Sequence, residues 1–243
     1  MQTIEGILFD LDGTLLPMDN DRFVELYMRE LARAGAGWGF DPRELVNAVW
    51  KSTGSMIRND GSRPGKAVFW ESFKQHITGR TPAEIDARVA DFDAFYTDPD
   101  GFHRTRAATR ANPLAREAVL AARRRAGKVI LATNPIFPRV AIESRLGWLE
   151  LDPGLFDEIT VYENIGFTKP NPAYYAEILR RAGLTPERCV MIGNDVHEDI
   201  EPAAAAGMQT VLVTDCLLNR DGRPLDGIRT CAFADLPALI ERL

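Results

Sequence analysis

At 243 residues, 45% apolar and 26% charged, the chain can bury a full α/β core and a second, smaller module, and its composition is that of an ordinary globular protein. A formal net charge of −6 argues against a nucleic-acid partner, which calls for a basic stripe. There is no basic-then-apolar leader and no apolar run of membrane length, and three scattered cysteines (Cys189, Cys216, Cys231) read as reduced thiols. The expectation is a cytoplasmic protein with no membrane partner.

The first element is a short apolar run, residues 4–9, which reads as a buried strand. It ends in Asp10-Leu11-Asp12-Gly13-Thr14. Side chains two apart on an ideal strand share a side, so these carboxylates repel unless a cation neutralises them or one keeps a proton. A helix capped near Asp19 carries Phe23, Leu26, Tyr27 and Leu31 at helical spacing and stops at Gly35. Asp41-Pro42-Arg43-Glu44 opens a second helix, with Glu44 placed to reach back to the cap and Leu45, Val46, Val49 and Trp50 as its buried face. After a Gly- and Pro-punctuated loop at 59–65, one helix carries Val68, Phe69, Phe73 and Ile77. Thr81-Pro82-Ala83-Glu84 then caps another that runs to Tyr96. Residues 18–111 therefore form an all-α insertion, between a core made of 1–17 and 112–243.

From Asn112-Pro113 the pattern alternates. A capped helix ends at Arg123-Arg124-Arg125, where cations suit the negative end of the helix dipole. Strands follow at 129–132, 159–161, 189–192 and 210–213, separated by helices, and a terminal helix covers 235–243. Such alternation specifies a doubly wound parallel sheet, whose ligands bind beyond the carboxyl ends of the strands. The unusual polar clusters lie at those ends: Asp10 and Asp12, Thr133-Asn134, and Gly193-Asn194-Asp195 with Asp199 beyond. Lys169-Pro170-Asn171-Pro172, an extended approach to a helix start, adds a lysine of defined direction.

Asp10-Leu11-Asp12-Gly13-Thr14 resembles the first motif of the haloacid dehalogenase-like (HAD) hydrolase superfamily, most of whose members are magnesium-dependent phosphotransferases. The resemblance covers residues 4–15 and about 112–215 and implies a Rossmann-like core with an inserted helical cap. Asp10 can supply a nucleophile that forms an aspartyl-phosphate, and Asp12 a group that protonates the leaving oxygen and later deprotonates water. The resemblance assigns those jobs to these two residues and sends the Asp12 carbonyl to the metal. It also places Thr133, with Asn134 beside it, and Lys169 on the substrate's phosphoryl group. The fourth cluster departs from the family pattern of Gly-Asp, four residues, then Asp, because Asn194 stands where the first Asp is usual. Either Asn194 offers Mg²⁺ an amide oxygen or Asp195 supplies a carboxylate, with Asp199 anchoring from behind.

The function implied is a Mg²⁺-dependent phosphatase acting on a small phosphorylated metabolite. A phosphomutase uses the same two aspartates, and a non-catalytic phospho-ligand binding protein could share the fold. Asp12 counts against a dehalogenase of this superfamily. A phosphonate hydrolase would need a cap lysine as amine nucleophile, for which Lys51 and Lys66 exist. Arg58, Asp60, Lys66 and Trp70 are the cap residues expected to meet the substrate, and Pro17 and residues 105–112 flank the hinges of a lid.

Overall fold

The computed structural model describes residues 3–243. Among them one parallel sheet runs in the order β3-β2-β1-β4-β5-β6. Its strands are β1 (Ile4–Phe9), β2 (Ala126–Leu131), β3 (Glu158–Ile159), β4 (Cys189–Gly193), β5 (Gln209–Val213) and β6 (Thr230–Cys231). In β1 and β4 the apolar side chains on both faces are buried. Continuous rather than alternating apolar runs are what a sheet covered on both sides requires. The strand order reverses between β1 and β4, each of which pairs with the other in register Gly6–Cys189 to Phe9–Ile192. A doubly wound sheet opens its crevice at that reversal.

Between β1 and β2 the chain builds α1 (Asn20–Gly37), α2 (Pro42–Ile57), α3 (Gly65–His76), α4 (Pro82–Asp86), α5 (Val89–Phe95) and a 3₁₀ segment, Phe102–Ala108. The core helices are α6 (Ala115–Arg125), α7 (Arg139–Trp148), α8 (Pro172–Ala182), α9 (Glu201–Ala205) and α10 (Leu236–Glu241). The helical insertion buries an aromatic cluster: Phe23, Tyr27, Phe95, Tyr96 and Phe102 are in ring contact, and Phe137 of the core joins them against Phe23 and Tyr27. Each ring removes a large apolar area from water, which is why short helices of modest propensity hold together here.

The insertion meets the core along α7, where Ser144 Oγ donates to Tyr96 O at 2.8 Å and Trp148 stacks on Phe102, and at two chain junctions. The chain segments that enter and leave the insertion lie side by side: Met18 and Thr109 form an antiparallel bridge, Asp19 N donates to Ala108 O at 3.0 Å, and Arg110 N donates to Pro17 O at 2.9 Å. The α2–α3 loop docks on the core, with Asn59 Nδ2 donating to Gly166 O at 2.7 Å and Gly65 N to Ile165 O at 3.0 Å.

Several local expectations are corrected. Helix α1 runs past Gly35 to Gly37, and Gly39, at φ +82°, makes the left-handed turn. Glu44 does not close a capping box. Its carboxylate accepts from Thr78 N and Oγ1 at 2.7 and 2.6 Å, while Asp41 alone caps α2. The capping box at Thr81 and Glu84 does form, but the helix it opens is broken in two at Ala87 and Arg88. Asn112 caps no helix and instead donates to Leu15 O at 2.9 Å. Trp50 is 51% exposed rather than buried. The Lys169–Pro170 peptide is cis, so the approach to α8 is not simply extended. Arg123 and Arg124 pair with Asp157 and Glu241, in line with a structural role for that basic run.

Candidate active site

The crevice at the β1–β4 reversal is built from strand ends. Asp10 N donates to Ile192 O at 2.9 Å, which continues the ladder and fixes the first carboxylate beside the end of β4. The chain then turns tightly, with Leu16 N donating to Leu11 O and Gly13 N to Leu16 O, both at 2.8 Å. Gly13 sits at φ +89° with its α-carbon against the Asn194 amide, so a side chain there would be both strained and in collision. The turn separates Asp12 from Asp10 and brings back Thr14, whose hydroxyl donates to Asn194 Oδ1 at 2.9 Å.

Lys169 is the centre of the buried charge. Its ammonium is 2.8 Å from Asp10 Oδ1 and 2.6 Å from Asp199 Oδ1, and all three groups are buried. Burial pushes the Asp10 carboxyl above the usual carboxylate range, against the pull of Lys169. For Lys169 burial acts downward, but Asp10 and Asp199 outweigh it and hold the ammonium well above its ordinary value. Asp199 also accepts from the backbone N–H groups of Asn194 and Asp195, each at 3.0 Å, and so shapes the loop after β4. Gly193 lets it approach: any Cβ there would occupy the position of the Asp199 carboxylate.

Thr133 and Asn134 leave the end of β2. The Thr133 carbonyl accepts from Thr160 Oγ1 and Tyr174 OH at 2.6 and 2.9 Å, which holds the turn. Asn134 Nδ2 donates to Glu198 Oε2 at 3.0 Å. Asp195 caps a π-helical turn, Val196–Ile200, by accepting from His197 N and Glu198 N.

Sequence reasoning passed over two residues. Glu198, on that π turn, lines the same cavity as Asp10, and burial raises its carboxyl against the pull of Lys169. Arg145, on α7, is fully buried and its Nη1 donates to Asp12 Oδ2. Its guanidinium lies 4.5 Å from the centre of the Phe137 ring. Arg145 falls at an apolar position of an amphipathic helix, and a charge on a buried face is the signal that marks it. Of the four cap residues expected at the substrate, Trp70 lines the cavity while Arg58, Asp60 and Lys66 do not. Lys66 lies instead 4.0 Å from Glu163 and over the Tyr162 ring.

The donor set is rich in oxygen and short of positive charge. Asp10, Asp195, Glu198 and Asp199 line one cavity, and burial raises the carboxyls of the first three. Asp12 Oδ1 and Asn134 Oδ1 are buried with no hydrogen-bond partner among the described residues. No three acidic, His or Cys side chains of the described residues are grouped to hold a metal by themselves. A hard cation that takes one or two carboxylates and completes its shell with carbonyl, amide and water oxygens fits this set.

The cavity encloses about 280 Å³ between the strand ends and the helical insertion. Thr133, Asn134, Asn194 and the acidic residues form its floor. Its roof is made by α1, α2, α3 and α5. A model of haloacid dehalogenase-like hydrolases matches residues 4–207, from β1 through α9.

The chain belongs to that family.

This HAD-like hydrolase is 28% identical over 213 residues to the glyceraldehyde 3-phosphate phosphatase of Methanocaldococcus jannaschii, covering 86% of this chain and 85% of that one. It is 26% identical to the phosphoglycolate phosphatase of Pseudomonas putida over 96% of this chain and 75% of the relative. A stronger but shorter match, 41% identical over 90 residues, spans 36% of this chain and 40% of the glyceraldehyde 3-phosphate phosphatase of Methanothermobacter thermautotrophicus. Among solved structures, the 2-haloacid dehalogenase of Pseudomonas syringae superposes with a TM-score of 0.61 at 21% identity, over 99% of both chains, which shows the shared fold. Family and relatives together support a phosphoric monoester hydrolase. None of the described helices is long and apolar enough to cross a membrane.

Proposed function

We propose that this hydrolase is a Mg²⁺-dependent phosphatase that cleaves a small phosphomonoester through an aspartyl-phosphate on Asp10. The observation that carries the reading is the buried Asp10–Lys169–Asp199 triad at the strand-order reversal, opening on a cavity of substrate size. A lysine buried between two carboxylates is costly to assemble and adds little stability over an apolar substitute, so a functional reason for it is called for.

In this reading the phosphoryl group rests on Lys169 and the Thr133 hydroxyl, with Asn134 beside them. Asp10 attacks phosphorus, and the departing alcohol takes a proton from Asp12. Water then attacks the aspartyl-phosphate as Asp12 takes a proton from it, which frees inorganic phosphate and restores both Asp10 and the protonated Asp12. Asp10, the Asp12 carbonyl and a group from Asn194-Asp195 would hold Mg²⁺, with Asp199 behind them. When bound, the ion offsets phosphoryl charge and the crowding of carboxylates. Arg145 keeps Asp12 turned to its place without touching the substrate itself. Residues 18–111 act as the cap over a core of 1–17 and 112–243.

The test is turnover of phosphorylated metabolites with Mg²⁺ and with excess chelator, in the parent and in Asp10→Asn. Chelation should abolish turnover, and Asp10→Asn should lower it by several orders of magnitude while the circular dichroism spectrum is kept. Acid-quenched parent should carry a hydroxylamine-labile phosphate. Full activity in chelator, or in Asp10→Asn, would refute the mechanism.

A further inference from the structure

The roof of the cavity differs in chemistry from its floor. The roof is mainly apolar and aromatic, with Tyr27, Leu31, Phe69, Trp70 and Phe92 among its residues. Among the described residues the roof carries, besides its phenols, Asn20, Thr53, Asp93 and the unpartnered Trp70 Nε1, and none of its lining side chains is cationic. Tyr27 and Tyr96 share one hydrogen bond of 2.9 Å, which uses one of their two O–H groups. Among the described residues the single cation lining the cavity is Arg220, an exposed residue of the core that borders Asp195 and Glu198 in a neighbouring hollow.

A second observation is independent of the lining. Four large apolar side chains are exposed among the described residues, and two of them, Val24 at 37% and Trp50 at 51%, lie on this cavity. Neither helps the insertion to fold by being left in water. Both add exposed apolar surface to a wall that already carries the buried rings.

These features set the leaving group. A carboxylate or second phosphate placed against the roof would lose its water, meet no cation there and face Asp93, a combination that burial of an unpaired charge makes costly. A poly-hydroxylated carbon chain would set several hydroxyls against a mainly apolar wall with few polar partners for them. An apolar group would gain on every contact. An apolar cavity of roughly 150 Å³ accepts a benzene ring, so about 280 Å³ takes a phosphoryl group on the floor and one ring-sized group under the roof.

Resting on the phosphatase reading above, we infer that the substrate is the phosphate monoester of an uncharged, largely apolar alcohol of about the size of one aromatic ring. This sets it apart from substrates with a second anionic group, such as the phosphoglycolate named for one relative.

The experiment uses the full chain with Mg²⁺ and esters whose leaving groups are all primary alcohols, so that leaving-group acidity does not confound the comparison. The probes are ethyl, butyl, hexyl and 2-phenylethyl phosphate, with phosphoglycolate and glyceraldehyde 3-phosphate alongside. The expected result is a kcat/KM that climbs by up to about fourfold per added methylene, the equivalent of ~0.8 kcal/mol for a buried CH₂. 2-Phenylethyl phosphate should exceed phosphoglycolate by about 100-fold, an increment of three to four such groups. Trp50→Ala should reduce the ratio of 2-phenylethyl to ethyl phosphate turnover, chiefly through KM. A flat or falling alkyl series, or phosphoglycolate or glyceraldehyde 3-phosphate as the best ester, would overturn this inference and leave the phosphatase reading standing. No turnover of any ester would overturn both.

Discussion

The floor and the roof of the cavity are held by opposite means. On the floor, position is set by charge and backbone: Lys169 is fixed between two carboxylates, Asp199 by two N–H groups, and the turns close on Gly13 and Gly193. Few substitutions fit such a site, because each polar group is a partner of another. On the roof, position is set by ring packing, much of it between side chains far apart in the chain such as Tyr27 with Tyr96 and Trp70 with Phe92, and an apolar residue of similar volume can replace another. One surface specifies a reaction and tolerates little. The other specifies a shape and can vary.

The sharpest way to break this contrast is Lys169→Met. Asp10 and Asp199 would be left facing each other in a buried site. We expect turnover to fall by several orders of magnitude and the fold to lose about 3–5 kcal/mol, the usual consequence of removing one partner of a buried ion pair. Urea unfolding of the metal-free protein measures the second effect, and an unchanged midpoint would mean that the pair is not buried as described.

Arg145→Met tests whether the floor reaches beyond the groups that meet substrate. Methionine suits the space beside Phe137, so the fold should persist. Without its partner Asp12 loses its orientation, and hydrolysis of alkyl phosphates should fall by about 100-fold, the scale of general acid catalysis. 4-Nitrophenyl phosphate, whose leaving group needs no proton, should lose far less, and Arg145→Lys should recover part of the difference. Equal losses for both esters would show that Arg145 only supports the fold.

The smallest effect belongs to the insertion. Burial acts to raise the Glu30 carboxyl, but hydrogen bonds from Arg33 and Arg29 outweigh it and hold it below the usual range. A carboxyl lowered on folding contributes stability above its unfolded pKa and loses it as pH falls through the folded value. The arginine side chains are 51% and 61% exposed, so screening limits the contribution to about 0.5–1 kcal/mol. Glu30→Gln should destabilise the protein slightly at pH 7 and flatten the loss of stability below pH ~4. A melting temperature with the same acid dependence in both proteins would rule this out.

What was legible in the sequence follows from the same contrast. The floor residues stand where regular apolar runs stop, at Asp10, Thr133 and Asn194, so strand periodicity leads to them directly. Arg145 could not be matched to Asp12, because 133 residues separate them and only the fold joins them. Glu44 was misread for a related reason: the local cap pattern was present, but Thr78, 34 residues on, competed for the carboxylate and won. The two-residue strands β3 and β6 are too short to show a period. Trp50 has the spacing of a buried residue, and only the shape of the cavity explains why it remains in water.

The paired segments at Pro17 to Asp19 and Ala108 to Arg110 have a mechanical meaning. Two separate tethers would let a lid swivel and twist. Two chains bonded edge to edge act as a strip, which bends across its width and resists torsion. A swing of the insertion about this strip would follow an arc that begins beside Asp12, restrained by the α7 contacts of Tyr96 and Phe102 and, at the far end, by the bonds of Asn59 and Gly65 to the core. A door hung in this way returns to the same place each time it shuts. The aromatic roof would come down on the carboxylate floor in one register, so discrimination by shape could be repeated at every turnover.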